Sequence, residues 1–324
     1  MINFATSDSV IWNRDRFIID VIEQMVKREP MILDTAGEGP CAASLGLYDL
    51  LDELCRRFQY PKQRITLRTC NLVEQHPDYN VNIVPQMFYL KAALQYPALP
   101  AEKDFSNIKH FGHFVGHGNR HRLRMASEIY RHCQDQCVQT YHCRTTDSYH
   151  RSFIGLEDMM FDGATPEQID AAITLINGAP ITQDSIDQYP ILSPTTLNIT
   201  KLYPNFLVEI VNLTYWSGNT FYLDEKIWRP VLMKTPFIVQ GPQDFIPRLQ
   251  SLGFRTFHDY WDEGYSQDPA PCHTNAMCQI VRELATKTTA DLEYMYNDMM
   301  PILQHNYDLL RTITPAKLAA VCRS

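Results

Sequence analysis

Asp224, Glu225 and Lys226 set carboxylates and an ammonium side by side at the start of an amphipathic segment, in the stretch YLDEKIWRPVLMKTPFIVQGPQDFIPRLQSLGFRTF (residues 222–257). A carboxylate at a helix start can accept hydroxyl hydrogens. An ammonium beside the free N–H groups of the same helix end can hold phosphate. The apolar run Pro236-Phe237-Ile238-Val239 follows and ends at Gln240-Gly241-Pro242, where the missing side chain of Gly241 lets a ligand approach the backbone. The competing reading is an acidic cap on an ordinary surface helix.

A second constellation is Gly112-His113-Phe114-Val115-Gly116-His117-Gly118-Asn119-Arg120-His121-Arg122, a strand, a Gly-rich turn and a basic helix start. Backbone N–H groups with guanidinium forks suit a diphosphate; a solvated basic helix face is the alternative. A third is Asp34-Thr35-Ala36-Gly37-Glu38-Gly39-Pro40, where a strand end leads to a Gly-flanked carboxylate, either at a domain cleft or in a plain turn. Glu209 lies within an apolar strand, where a carboxylate needs a partner or a ligand. Asn212, at that strand's end, is placed to touch a sugar, and Tyr222 to pack near a base or in the core. Asp262-Glu263 is an acceptor-side pair or a hydrated loop. His110, His113, His117 and His121 have the spacing of a helical metal site, but Gly112, Gly116 and Gly118 work against a helix there. Cys133, Cys137, His142 and Cys143 lack a CxxC pair, so no metal site is expected.

These residues need strand ends and helix starts to hold them, and the chain alternates such elements. Helical spacing covers Arg16–Lys27, about Ser44–Phe58, Arg120–His132, Pro166–Asn177 and a long segment from about Thr274 to Leu310. Strands are expected at Met31–Asp34, Arg64–Thr69, Ile108–Val115, Cys137–His142, Phe206–Leu213 and Pro236–Val239, with a short one near Phe257. Pro97 and Pro100 mark a linker at Tyr96–Asp104. This gives a first domain over about 1–100 and a second over about 101–290.

The chain has 324 residues, 45% of them apolar and 20% charged, which suits a globular protein of roughly two domains. A net charge of -8 argues against a generally basic nucleic-acid-binding surface. No run reaches the ~20 apolar residues of a membrane span, and the start lacks the pattern of a secretory signal. Nine scattered Cys then fit reduced thiols in the cytoplasm. There is no Walker lysine loop, no GxGxxG after a strand and no DxD in strand context. Nothing in the sequence specifies an oligomer.

The block from Phe206 to Tyr265 resembles the donor-binding half of GT-B glycosyltransferases. It is closest to the fucosyltransferase-type pattern, and is similar to a group of phage and giant-virus proteins with an "EK-W-P…PFI…G…L…LGF-TF" layout. The resemblance is looser over His110–His132 and near Glu38. It implies a GT-B-like α/β fold of two Rossmann-like domains facing a cleft, with the C-terminal helix (about 291–324) crossing back to the first. It also implies an inverting, metal-independent transfer from a nucleotide-sugar, as co-substrate, to a hydroxyl on a viral or surface glycan, a glycoprotein or a hydroxymethylated DNA base. Glu225 would hold the ribose, while Lys226 and Arg122 would hold the diphosphate. His117, Gly118, Asn119, Arg120, Asn212, Tyr222 and Gly241 would line the donor. Glu38 would be the general base, with Asp34 and His113 behind it. Asp224 stands where the pattern has Thr or Ser. A basic acceptor groove for DNA would draw on Arg56, Arg57, Lys62, Arg64 and Arg68. The rivals are a non-catalytic binding or structural protein of the same shape, and another nucleotide-sugar enzyme such as an epimerase.

Overall fold

The computed structural model describes residues 1–4, 6–7, 10–11, 13–35, 39–85, 102–116, 118, 120–142, 146–161, 163–183, 198–216, 218–268 and 270–320. Strands β1 (Ile2–Asn3), β4 (Met31–Asp34), β5 (Ile65–Thr69) and β6 (Asn80–Ile83) form one parallel sheet in that spatial order. A small antiparallel pair, β2 (Thr6–Ser7) and β3 (Val10–Ile11), stands apart. Helices α1 (Arg14–Lys27) and α2 (Leu47–Phe58) connect β1 to β4 and β4 to β5, and they pack on each other. Strands laid down in sequence order with right-handed crossovers place their helices on one face. Burial along the strands agrees: β4 and β5 alternate inward and outward, and Ile32 is 41% exposed. Met31–Asp34 is therefore buried on one face only.

The second sheet differs. Strands β7 (Lys109–Val115), β8 (Cys137–Tyr141), β9 (Phe206–Asn212) and β10 (Phe237–Gln240) are all parallel, in the order β8-β7-β9-β10. The chain runs outward from β7 to β8 and then crosses back to add β9 and β10 on the other side. Every residue of β8, β9 and β10 is buried, as in a parallel sheet covered on both faces. The crossovers carry α3 (Arg120–His132), α4 (Thr146–Phe161), α5 (Pro166–Gly178) and α6 (Glu225–Leu232); α7 (Phe245–Ser251), α8 (Ala270–Ala285), α9 (Thr289–Thr312) and α10 (Pro315–Ala320) follow. The fold is α/β, with two parallel, Rossmann-like sheets, as expected from the sequence.

Three expectations are corrected. The long helix over Thr274–Leu310 is two helices, because Thr288 caps α9 in a reciprocal box with Asp291. The segment around Phe257 is not a strand; Glu263 Oε1 accepts from the Phe257 N–H at 3.0 Å and turns the chain there. Among the described residues the C-terminal helix α9 is held by the second domain, where the resemblance implied a crossing back to the first: it packs on α6, Lys234 Nζ donates to Gln304, and Asn306 bonds both backbone groups of Arg255. Most of the expected linker lies outside the described residues, but Lys103 already belongs to the second domain. Its ammonium donates to the carbonyls of Tyr203 and Phe206 and to Thr235 Oγ1 at 2.7–2.9 Å.

The two domains meet through loops that leave the carboxyl ends of their strands. Asn71, just after β5, accepts from Phe221 N–H at 2.8 Å and donates to the Asn219 carbonyl at 2.9 Å. Leu72 N–H donates to the Phe221 carbonyl at 2.9 Å, and Cys41 N–H to Thr220 Oγ1 at 3.1 Å. Gly39 makes the first domain's side of this junction possible, since a Cβ there would lie 2.3 Å from the Asn71 nitrogen. That neighbour is backbone and cannot swing away. Gly39→Ala is expected to destabilise the chain by about 1–3 kcal/mol, the usual cost of overpacking, measured as a shift of the urea midpoint at unchanged slope.

Candidate functional site

In open parallel sheets, ligands bind outside the carboxyl ends of strands where the order reverses. Here that point lies between β7 and β9. His113 on β7 and Asn212 on β9 bridge it, with His113 Nε2 donating to Asn212 Oδ1 at 2.5 Å. Asn212 Nδ2 donates on to Gln240 Oε1 at 2.5 Å, and Gln240 Nε2 to Thr274 Oγ1 at 2.6 Å. Gln139, opposite His113 on β8, brings its amide nitrogen to 3.5 Å from His113 Nδ1. A belt of buried polar side chains thus crosses all four strands just below their ends. Burial, together with the nearby Arg122 charge, pushes His113 down to about 4 against the pull of its Asn212 bond, so the ring is neutral at pH 7.

Directly above this belt lies a charged cluster. Asp224 caps α6 through Oδ1, which accepts from the Lys226 N–H at 3.0 Å. Its other oxygen accepts from Lys226 Nζ at 3.0 Å and from the Thr214 hydroxyl at 3.3 Å. Lys226 Nζ also donates to Glu225 Oε1 at 2.6 Å and to Thr214 Oγ1 at 3.0 Å. Arg122, from α3, reaches the same Thr214 oxygen at 3.2 Å, while its buried Nε has no hydrogen-bond partner among the described residues. Burial opposes the Lys226 charge, but the Asp224 and Glu225 carboxylates outweigh it and hold the ammonium well above its usual range. Glu225 is the more exposed acid of the pair, at 24% against 3% for Asp224. One carboxylate is therefore built in and the other can exchange.

The structure brings Arg122, Glu225 and Lys226 together around Thr214, two residues past Asn212, which is itself bonded to His113. Gly241 follows β10 at the same sheet end, and a Cβ there would lie 2.9 Å from Leu213. Gly118 is held against Tyr141, whose hydroxyl a Cβ would strike at 1.7 Å. Tyr222 packs edge-on to Tyr215 at 6.4 Å, in a small buried cluster with Cys70 of the first domain. Asp34 ends β4 in the other sheet, where Arg68 Nη1 donates to it at 2.9 Å. Glu38, His117, Asn119 and the Arg120 side chain lie outside the described residues. Thr214, at the centre of the cluster, was not anticipated; a hydroxyl two residues past a strand that ends in Asn is its only trace in the sequence. Among the described residues no group of His, Cys, Asp or Glu is arranged to hold a metal, and no helix is long and apolar enough to cross a membrane.

Glu209 proves to be structural. Arg229 of α6 and the Tyr203 hydroxyl both donate to its carboxylate, and Arg229 Nε donates to Tyr203 Oη at 2.6 Å. The triad ties α6 to β9 from below, so it orients the helix whose N-terminus carries the cluster. Glu263, likewise, is buried and bonded to the Phe257 backbone.

No protein-family model matches the chain, and no curated protein is significantly similar to it. Among solved structures it is similar to an alpha,alpha-trehalose 6-phosphate synthase from Burkholderia multivorans, with a TM-score of 0.42 at 12% identity over 95% of this chain and 68% of that one. It is also similar to a UDP-forming alpha,alpha-trehalose-phosphate synthase from Burkholderia vietnamiensis, with a TM-score of 0.41 at 13% identity over 94% and 72%.

Two outcomes follow from the buried groups. Arg229→Met leaves the Glu209 carboxylate buried without its cation and is expected to cost about 3–5 kcal/mol, whereas Arg229→Met with Glu209→Leu recovers most of the loss; chemical denaturation of both variants checks this. His113 is held neutral in the fold but protonates near 6.5 when unfolded, so between those values the unfolded chain binds more protons. Its contribution is full above pH 6.5 and falls as pH drops toward about 4, by at most about 1.4 kcal/mol per pH unit. Stability measured against pH in the wild type and in His113→Gln should diverge over that window.

Proposed function

We propose that this chain is a glycosyltransferase that moves a sugar from a nucleotide diphosphate sugar to a hydroxyl acceptor. The observation that supports this reading is the Lys226 cluster at the switch point of the second sheet. It presents two cations, a hydroxyl and one exchangeable carboxylate where a phosphorylated ligand would sit. In this reading Glu225 leaves Lys226 to accept the ribose hydroxyls. The freed ammonium and Arg122 then take the diphosphate, a charge stabilisation that needs no divalent metal. The acceptor oxygen attacks the anomeric carbon, the bond to the diphosphate oxygen breaks with inversion, and the acceptor proton passes to Glu38. Asp34, paired with Arg68, is the next candidate for that role. His113, buried and neutral, serves by fixing Asn212 rather than by taking that proton.

The fucosyltransferase-type likeness belongs to this proposal, as does the likeness to viral proteins. The substitution of Asp224 for Thr or Ser is compatible with it. Asp224 turns inward to the Lys226 backbone and ammonium, where its charge is already met. For the acceptor, a glycan or glycoprotein hydroxyl is favoured over a modified DNA base. Arg56 and Arg57 pair with Glu53, Lys62 with Asp52 and Asp78, and Arg68 with Asp34, so these cations are neutralised within the first domain.

The test is the melting temperature of the purified chain against a panel of nucleoside diphosphates and their sugars, with and without EDTA. One nucleotide is expected to stabilise it by about 2.7 kcal/mol at a hundredfold excess over Kd, a rise of several degrees. Glu225→Ala and Lys226→Ala are expected to abolish the rise. No shift with any nucleotide on the folded protein would overturn the reading. Binding without transfer would favour a non-catalytic protein, and conversion of the donor without an acceptor would favour an epimerase.

A further inference from the structure

Asn71 belongs to the first domain, yet all four hydrogen-bonding positions of its amide are used, and two of them reach into the loop that carries the donor cluster. Oδ1 accepts from Phe221 N–H at 2.8 Å and, more weakly, from Val73 N–H at 3.4 Å. Nδ2 donates to the Asn219 carbonyl and to Glu74 Oε2, both at 2.9 Å. Glu74 is buried and is itself held by the Tyr48 hydroxyl at 2.9 Å and the Ala42 N–H at 3.1 Å. The Asn71 amide is therefore fixed in one orientation by a carboxylate that has two further anchors in its own domain.

The segment that Asn71 grips leads straight to the ion cluster. Thr220, Phe221, Tyr222, Leu223 and Asp224 are all buried, with exposures of 0–7%, and no glycine interrupts them. Displacement at Phe221 is therefore passed to the Asp224 cap, three residues on, rather than absorbed. Arg248 of the second domain holds the same loop, donating to the Thr220 carbonyl at 3.2 Å and to Asn219 Oδ1 at 2.6 Å. The loop thus keeps its general course without the first domain, and Asn71 sets its exact seat.

We infer that Asn71, clamped by Glu74, is a positioning residue for the donor site: docking of the first domain onto residues 219–221 sets Asp224 and Lys226 for a nucleotide diphosphate. This rests on the proposed function, and it makes donor affinity dependent on contact between the domains. Asn71→Asp is the sharpest probe. It keeps the volume and the Oδ1 acceptor, removes both donors, and sets a carboxylate against Glu74. Thr220→Val, which removes the acceptor of the Cys41 N–H, perturbs the same junction independently and is nearly isosteric. Affinity for the nucleoside diphosphate that stabilises the wild type is measured by calorimetry in the wild type, Asn71→Asp, Thr220→Val and Asn71→Asp with Glu74→Gln.

The expected result is binding about tenfold weaker in Asn71→Asp, a smaller loss in Thr220→Val, and partial recovery in the double variant, where the Gln amide can donate to the new carboxylate. Unaltered affinity in Asn71→Asp and Thr220→Val, with a lowered melting temperature, would reduce Asn71 to a clip between domains and overturn the inference while leaving the donor site standing. If Asn71→Asp does not fold, Thr220→Val decides on the same criterion. Absence of nucleotide binding in the wild type would remove the donor site itself and the inference with it.

Discussion

An ammonium taken out of water must be met by opposite charge and by acceptors, and much of the second domain's upper surface is organised by meeting that of Lys226. Its three side-chain partners come from two elements. Thr214 is delivered by the end of β9, while Asp224 and Glu225 come from the start of α6. Holding these in one place requires β9 and α6 to keep a fixed relation. The Glu209–Arg229–Tyr203 triad enforces that relation from the other end of the helix. Buried ion pairs are rarely a net gain over packed apolar groups. Two of them on one short helix, Pro230 within it, make better sense as a means of fixing orientation than as a source of stability.

The two sheets show why only one of them is built around such a site. In the first, strands follow one another in order, so among the described strands there is no reversal and no crevice between diverging crossovers. Its loops are spent on contact with the second domain. In the second sheet the reversal between β7 and β9 leaves the ends of two central strands uncovered by a connection. The polar belt of Gln139, His113, Asn212, Gln240 and Thr274 would be costly in an ordinary core. Here it lies at the strand ends beside the reversal, with most of its hydrogen-bonding groups used along the chain of side chains.

Much of this was legible in the sequence, for definable reasons. Strands such as Phe206–Asn212 and Phe237–Gln240 are apolar runs bounded by Pro, Asn or Gly, and their limits fall within a residue or two of expectation. The Glu225-Lys226 pair and Arg122 announce themselves by charge beside strand ends, and the structure brings Lys226 and Arg122 to one oxygen, that of Thr214, with Glu225 on the Lys226 ammonium. What escaped notice lacks such contrast. Strand β6 reads Asn-Val-Asn-Ile and is nowhere fully buried, so no apolar face marks it. Helix α4 leaves Phe153, Ile154, Met160 and Phe161 exposed, which blurs its stripe. Glu209 stood out as an anomaly, but its partner lies 20 positions away on another element, a distance that helical or strand periodicity does not bridge. The path of the C-terminal helix was expected by analogy alone. The residues that decide it, Tyr296, Gln304 and Asn306, meet backbone and side-chain groups of the second domain that only the folded chain brings near.

The junction between the domains adds a constraint that neither sheet contains by itself. Beside the apolar packing of Leu72 and Cys70 against second-domain residues, the hydrogen bonds described there are mostly main-chain groups meeting side chains: Cys41 N–H on Thr220, Phe221 N–H on Asn71, and Asn71 on the Asn219 carbonyl. Hydrogen bonds of this kind contribute about 1 kcal/mol each, too little to weld two domains but enough to set their register. Gly39 and Gly218 matter for the same reason. Each lets backbone come within a distance that a side chain would forbid, Gly39 against Asn71 and Gly218 against Ser44. Hydrogen bonds that are strict in geometry fix one arrangement of the two sets of loops, Cys41 and Asn71 of the first domain against residues 219–221 of the second. The loop from Asn219 to Asp224 sits at that contact and at the ion cluster together, so whatever holds the domains in register also holds Lys226.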